Sequence, residues 1–312
     1  MLVALLLTGF VVATAAGQSL VIRFFDVGQG DAALVVSPEG KSVLVDGGPD
    51  DDTVLQYLKQ LNIDTLDLVV ASHNHADHIR GLPSVLRSIV VRNYMDNGVP
   101  ATTAVYQSVL DALIQDSVPY LNAVPRIVHL GSVDIRVLAR PPDIETQNNS
   151  SVGLLLTYGK FKALFTGDAE FVERDFWRLY AEVAVVDLLK VAHHGSINGT
   201  DSLWTMVTRP CIAVISVGEG NRYGHPSPET LRSLQESGAL VYRTDEVGTI
   251  TVVVTVDGTI AIRTERGGLR YAKDSTLALS EGAESPIRET VSDSGERHVS
   301  RQGQRCEATM PP

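Results

Sequence analysis

The chain has 312 residues, 44% of them apolar and 20% charged, the balance of a globular protein and not of a disordered, collagen-like or multi-span membrane chain. A chain this long builds one large core or two smaller ones without a staple, and its two cysteines, Cys211 and Cys306, lack metal-ligand spacing, which excludes a zinc ribbon or disulfide scaffold. Lys and Arg number 26 against 37 Asp and Glu, and the resulting net charge of −11 argues against a wide grip on nucleic acid or anionic membrane.

Residues 1–16 (MLVALLLTGFVVATAA) are an apolar run too short to span a bilayer comfortably. Ala13-Thr14-Ala15 has the small-x-small form of a signal-peptidase site, so the run reads as an export signal or an apolar anchor and the chain is expected outside the cytoplasm. From residue 20, LVIRFFDV and DAALVVSP flank a Gly28-Gln29-Gly30 turn and SVLVDGG follows, predicting a hairpin and a third strand. Helical spacing marks residues 52–61 through Val54, Leu55, Leu58 and Leu61. The strand LDLVVAS comes next, then a polar His-rich loop, a short helix over 83–88 and a longer one over 104–115.

The second half repeats the theme. VGLLLTYG and KFKALFTGD form a hairpin, 171–180 a helix, VDLLKVAHHG a strand and loop, and CIAVISVG a buried strand in which Cys211 reads as a buried thiol. A helix over 228–237 and a closing hairpin around Asp257-Gly258 complete a body spanning 17–266, and the polar tail 267–312 reads as disordered. Strands followed by helices in both halves predict a layered α/β fold, two sheets inside and helices outside.

Several apolar strands end in the residue types that metal chemistry needs. SVLV ends in Asp46, LDLVVAS in His73-Asn74-His75-Ala76-Asp77-His78, KALFTG in Asp168, and VDLLKVA in His193-His194. Ligands gather at the carboxyl ends of strands in α/β sheets. Of the eight histidines, five fall in this set, a sorting that scattered surface residues would not show. In HxHxDH, His73 and His75 lie two apart and can clamp one ion, while Asp77 and His78 turn toward a second; imidazole and carboxylate suit zinc, manganese or iron. One loop supplies too few ligands for two ions, and Asp168 and His194 are the available further donors.

The order Asp46, HNHADH, TGD and HHGS resembles the metallo-β-lactamase fold superfamily. DVGQGDA, NNSSVGLLL, NRYGHPSPE and YRTDEVGTI are more closely similar to the metallohydrolase domain that ends the ComEC/Rec2 competence channel, over roughly residues 20–262. The resemblance implies an αββα sandwich with the metal site at one edge, and hydrolysis of phosphodiesters by a water shared between two divalent ions, zinc or manganese. It implies DNA or another phosphodiester as substrate and a membrane-bound competence channel as partner; no obligate protein partner is readable. Carried over by position, His73 and His75 hold the first metal, Asp77, His78 and His194 the second, and Asp168 bridges them. Asp46 matches a residue that orients a ligand histidine. Asp77 counts also among the catalytic residues, and His193 is placed to contact the scissile phosphate, although the sequence equally allows His193 and His194 to exchange roles.

Many relatives carry a further histidine between the HxHxDH loop and TGD. Here that interval holds only His129, and the matching segment is Asn148-Asn149-Ser150-Ser151. Asn149 or Ser150 is therefore expected to face a water-rich first ion, in a shell that favours manganese over zinc. In Asn221-Arg222-Tyr223-Gly224-His225-Pro226, Arg222 is expected to hold a phosphate, Tyr223 to stack a base and His225 to protonate a leaving oxygen. DVGQGD reads as a tight turn, with Asp26, Gln29 and Asp31 structural. Ser196 needs no nucleophilic role, because the chain has no GxSxG elbow.

Three functions follow in order: a DNA nuclease of the competence type, a hydrolase of a small phosphodiester (phosphorylcholine-type or nucleotide), and a metal- or DNA-binding module without turnover. A basic rim formed by Arg80, Arg87, Arg92, Arg209, Arg222 and Arg243 would separate the first from the second. A β-lactamase is the least expected outcome.

Overall fold

A computed structural model describes residues 19–180 and 182–267, together with the backbone of 297–302 and 305–309. The first half comprises β1 (Leu20–Phe24), β2 (Ala33–Val36), β3 (Ser42–Val45), α1 (Thr53–Gln60), β4 (Thr65–Leu66), β5 (Leu68–Val70), α2 (Ala76–Ile79), α3 (Leu82–Ser88), β6 (Val90–Val91), β7 (Tyr94–Asp96), α4 (Ala104–Gln115) and β8 (Tyr120–Asn122). The second half begins with β9 (Arg126–Leu130), β10 (Val133–Val137), β11 (Leu154–Tyr158), β12 (Phe161–Phe165), α5 (Phe171–Leu179), β13 (Leu188–Lys190), α6 (Ser202–Thr208) and β14 (Ile212–Ile215). It closes with α7 (Pro228–Glu236), β15 (Leu240–Arg243), α8 (Thr244–Val247), β16 (Ile250–Val254), β17 (Ile260–Thr264), β18 (Arg297–Gln302) and β19 (Arg305–Thr309).

One sheet runs β19-β18-β17-β16-β1-β2-β3-β5-β7-β8, the other β15-β14-β13-β12-β11-β10-β9, and β4 pairs with β6 apart from both. β1 and β16 pair antiparallel and alternate buried with half-exposed residues, the pattern of strands covered on one face. β3, β5, β13 and β14 are buried along their whole length and pair in parallel, because helices cover their second face. The inner faces of the sheets meet in one core, where Ile22, Phe24 and Val252 pack with Ile135, Leu156, Ala163 and Val214. Leu58, Val85 and Val109 of α1, α3 and α4 cover Leu44 and Val69 outside the first sheet. Trp177, Trp204 and Leu234 of α5, α6 and α7 cover Leu164, Leu189 and Ala213 outside the second. The layers are therefore helix, sheet, sheet, helix: the αββα sandwich.

Four departures from the sequence reading stand out. The His-rich loop contains one helical turn, α2, with His75 at its N-cap. Within the tail read as disordered, β18 pairs with β17 and β19 with β18, so a strand that would have been a sheet edge has its backbone groups paired. Cys211 is 1% exposed, as a core thiol would be, but it is disulfide-bonded; the other cysteine, Cys306, belongs to β19. β6, β7, β8, β10, α6, β15 and α8 have no counterpart among the elements expected from the sequence. Residues 1–18, which carry the export signal or anchor reading, and 268–296 of the tail lie outside the described residues. Among the described residues no helix is long and apolar enough to cross a membrane.

Candidate metal centre

The site lies where the C-terminal ends of parallel strands from both sheets meet. β3 ends at Asp46, a buried residue with a left-handed φ of 62°. Its Oδ1 accepts from Ser72 N at 2.7 Å, and its Oδ2 accepts from Ser72 Oγ at 2.8 Å and from His78 Nδ1 at 3.0 Å. With Nδ1 so held, His78 presents Nε2, which lies 3.3 Å from Asp168 Oδ1 and 3.9 Å from Asp77 Oδ2. The Ser72 hydroxyl proton is committed to Asp46, so His73 Nδ1, 3.2 Å from that oxygen, is the donor there. His73 Nε2 is left facing His75 Nδ1 at 3.0 Å and Asp168 Oδ2 at 3.7 Å.

The second sheet supplies the opposite wall. Asp168 follows β12, and its backbone N–H donates to Ser151 Oγ at 3.1 Å. After β13, His193 (φ 49°) and His194 (φ 51°) are consecutive left-handed residues, a conformation that costs of order 1–3 kcal/mol each outside glycine and is characteristic of functional turns. This turn separates the two side chains. His194 is buried, donates through Nδ1 to the Ser216 carbonyl at 3.0 Å, and sets Nε2 3.2 Å from Asp77 Oδ2 and 3.8 Å from Asp168 Oδ2. His193 is partly exposed, with Nε2 3.7 Å from Asp168 Oδ2 and Nδ1 3.3 Å from Glu170 Oε1. The geometry thus puts His194 inside the cluster and His193 at its mouth.

Ligand atoms of Asp77, His78, Asp168 and His194 all lie within 4.8 Å of one another. The charge distribution fits a cation there. Burial pushes the Asp168 carboxyl up, but His78 and His194 outweigh it and hold the group well below its ordinary value. Burial pulls His78 down, yet Asp168, Asp46 and Asp77 together raise it well above its usual range. His194 is pushed up to about 10 against burial, by Asp168 and Asp31. Protons on buried imidazoles are here the answer to crowded carboxylates, and a divalent ion answers the same demand. His78 Nε2 and Asp168 Oδ1 have no hydrogen-bond partner among the described residues, which leaves two donors aimed at one point. The nitrogen and oxygen donor set suits zinc, manganese or iron.

Other expected residues are placed differently. Ser150 Oγ donates to the Ile144 carbonyl at 2.9 Å, and Asn149 donates to Glu170 Oε2 at 3.2 Å and accepts from Glu173 N, so neither polar group turns to the cluster. The next residue, Ser151, meets the cluster through the Asp168 backbone N–H, while its own hydroxyl donates to the Asn148 carbonyl at 2.9 Å. Arg222 lies over the Tyr223 ring at 5.0 Å, Tyr223 stacks on His225 at 5.9 Å, and His225 meets His193 edge to face at 5.8 Å. These three residues therefore form a continuous flank running from the mouth outward. Burial, His193 and His194 hold His225 below its ordinary pKa.

Several contributors escaped the sequence. Asp31, read as part of a structural turn, enters the site: its Oδ2 accepts from the buried Lys190 at 2.7 Å, and its Oδ1 lies 3.4 Å from His194 Nδ1. The buried group Asp31, Asp46 and His78 thus has an internal cation in Lys190. Gly30 is required for close approach, since a Cβ there would strike the Asp77 carbonyl. Asn74 is fastened by Gln147, whose Oε1 accepts from Asn74 N at 2.9 Å and from Asn97 Nδ2 at 3.1 Å. A lone lysine closing the apolar run VDLL was the one available signal for Lys190.

The Lactamase_B family model, the metallo-beta-lactamase superfamily, matches residues 25–219, and the chain belongs to that superfamily. The class so defined is that of metal-dependent hydrolases. Among curated relatives, ComE operon protein 3 of Bacillus subtilis is 28% identical over 252 residues, covering 73% of this chain and 32% of the relative. Recombination protein 2 of Haemophilus influenzae is 28% identical over 245 residues, covering 73% of this chain and 28% of the relative. The chain therefore spans less than a third of the length of either. Among solved structures, the metallo-beta-lactamase fold protein YhfI of Bacillus subtilis aligns with a TM-score of 0.48 at 15% identity, covering 72% of this chain and 96% of that one. The metallo hydrolase Igni18 of Ignicoccus hospitalis gives 0.48 at 18% identity, covering 74% and 98%.

Proposed function

We propose that the chain is a metal-dependent phosphodiester hydrolase, with DNA as its substrate in the manner of a competence-type nuclease, working outside the cytoplasm. The observation that carries the reading is the convergence of Asp77, His78, Asp168 and His194 on one point, with His73 adjoining through Asp168 and His75 through His73. Two divalent cations, zinc or manganese, held by these residues would supply a water of lowered pKa and offset charge on the phosphoryl oxygens. His73 and His75 would hold one ion and Asp77, His78 and His194 the other, with the Asp168 carboxylate near both groups of residues. Asp46 keeps His78 in the tautomer that leaves Nε2 bare. His193 at the mouth donates to a phosphate oxygen, and the His225 ring hydrogen-bonds the substrate beside it. Tyr223, 55% exposed, offers a stacking face for a base, and Arg222 a cation for a flanking phosphate. A membrane-bound competence channel is the setting we infer from the resemblance of the sequence motifs.

A second reading, hydrolysis of a small phosphodiester, has an observation of its own. Of the arginines expected to form a basic rim, Arg92 is paired with Asp67 at 3.5 Å and Arg243 with Asp245 and Glu246 at 2.6 and 2.8 Å. Cations so engaged are poor grips for a long polyanion.

The test uses the full chain, stripped of metal and reloaded with manganese or zinc, on single-stranded DNA, duplex DNA and bis-p-nitrophenyl phosphate. Asp168→Ala and His75→Ala serve as site variants. DNA cleavage lost in both variants is the expected result. Turnover of the small diester alone would favour the second reading, and bound ions without any turnover would overturn catalysis in favour of a binding module.

A further inference from the structure

β17, β16 and β1 lie side by side, and their register sets Arg23 opposite Thr251 and Thr251 opposite Arg263. With strands about 4.8 Å apart, the two arginines flank the threonine at about 10 Å between Cα atoms, a span that two long side chains close onto one ligand. A cavity of 230 Å³ opens here, lined by Arg23, Thr251 and Arg263 with Tyr57, Gln60 and Phe25 among its walls. It shares no lining residue with the metal centre. Phe25 and Tyr57 stack at 4.7 Å with planes 6° apart, which gives the cavity a rigid aromatic side. The Tyr57 hydroxyl donates to the Asp26 carbonyl at 3.2 Å and takes a 3.4 Å contact from Thr249 Oγ1, so its position is held from both sides.

The charges point to an anion. Arg23 is half-buried, and burial pulls its pKa below the ordinary value. Among the described residues it has neither an ion pair nor a hydrogen bond through its side chain. The one carboxylate lining the cavity, Glu265, is engaged: its Oε2 accepts from Thr249 N at 2.8 Å. A guanidinium withdrawn from water without a counter-ion is costly, and a bound anion removes that cost. A planar carboxylate is satisfied by one arginine fork, whereas a tetrahedral phosphate group offers acceptors in several directions at once, as two arginines and intervening hydroxyls require.

We propose that this cavity is a phosphate-binding site in which Arg23 and Arg263 hold the phosphate between them, with the Thr251 hydroxyl beside it. The phosphate comes either from a free phosphate ester or from the backbone of a nucleic acid. The site stands independently of the hydrolase reading, because none of its residues serves the metal centre.

Isothermal titration calorimetry on the metal-free full chain, with chelator present, separates the possibilities. Pyrophosphate represents the free source and a short single-stranded oligonucleotide the backbone source. Binding of either, weakened at least about 10-fold by Arg23→Gln combined with Arg263→Gln and unchanged in Asp168→Asn, is the expected result. Pyrophosphate binding identifies a free ester as the source, and oligonucleotide binding alone identifies the backbone. Thr251→Val, which suits a strand, provides a second variant should the double arginine variant fold poorly, and a several-fold loss is expected there. Absence of binding by both ligands, or affinity indifferent to Arg23 and Arg263 in a folded variant, or to Thr251→Val where the double variant does not fold, would overturn the proposal.

Discussion

His78 is oriented through its Nδ1, which lies 3.0 Å from Asp46 Oδ2 and 3.3 Å from Ser72 Oγ. Asp46→Asn keeps the size but removes the charge and puts an amide where the acceptor stood. Loss of such a partner costs metal affinity about 10- to 100-fold, and metal titration against a competing chelator should show a drop of that size. Lys190 is the corresponding support behind His194. It is buried and 2.7 Å from Asp31, so Lys190→Met strands a buried carboxylate without its cation. A loss of about 3 kcal/mol in urea unfolding is expected, the scale for removing one partner of a buried pair. Lys190→Met with Asp31→Asn should recover part of that loss, because the double change leaves no stranded charge.

At the level of elements, the two sheets are latched at the end remote from the candidate metal centre. Glu39, in the turn between β2 and β3, accepts from Ser132 N at 3.1 Å in the turn between β9 and β10. These hydrogen bonds from Ser132 hold the Glu39 carboxyl down at about 2, below its ordinary value. A depressed carboxylate stabilises the fold above the unfolded-state value and ceases to do so as pH falls through the folded one. Wild type should therefore lose more stability than Glu39→Gln between about pH 4.5 and pH 2, and acid titrations of the two by circular dichroism would show it. Elements of this kind divide sharply by how readable they were. α4 was read at its observed bounds because Val105, Val109 and Leu113 recur at helical spacing, and the β16–β17 hairpin announced itself by alternation around Asp257-Gly258. α2 was read as loop because its composition serves ligation rather than helix propensity. The cluster of Asp77, His78, Asp168 and His194 was legible because unusual residue types gather at strand ends. Asp31 was not, since its partner Lys190 lies 159 positions away and no local pattern records that pairing.

For the molecule as a whole, net charge and metal content are the governing quantities. At −11, with Arg92 and Arg243 already paired, the surface offers few cations to a polyanion. If DNA is the substrate, log affinity against log salt should have a shallow slope, near −2 or less steep, corresponding to about two neutralised phosphates on a slope of about −0.7 to −0.9 for each. Fluorescence anisotropy across a salt series reads this directly, and a slope several times steeper would reveal a cationic track elsewhere. Bound metal stabilises only the folded state, so chelation should lower the unfolding temperature. The difference should correspond to about 2.7 kcal/mol when free metal stands at 100 times its Kd, seen in thermal scans with and without chelator.

Neither sheet owns the metal centre. Asp77 and His78 ride on the first sheet, Asp168 and His194 on the second, and their side chains meet across the seam. A small slide of one sheet over the other would leave every strand paired and yet part these atoms, so the sandwich behaves as a jaw whose bite is gauged by what fills it. Ala163 and Val214, deep in that filling, are shims for the bite. Enlarging or trimming them would retune the grip on the ion from a distance, with every ligand left in place.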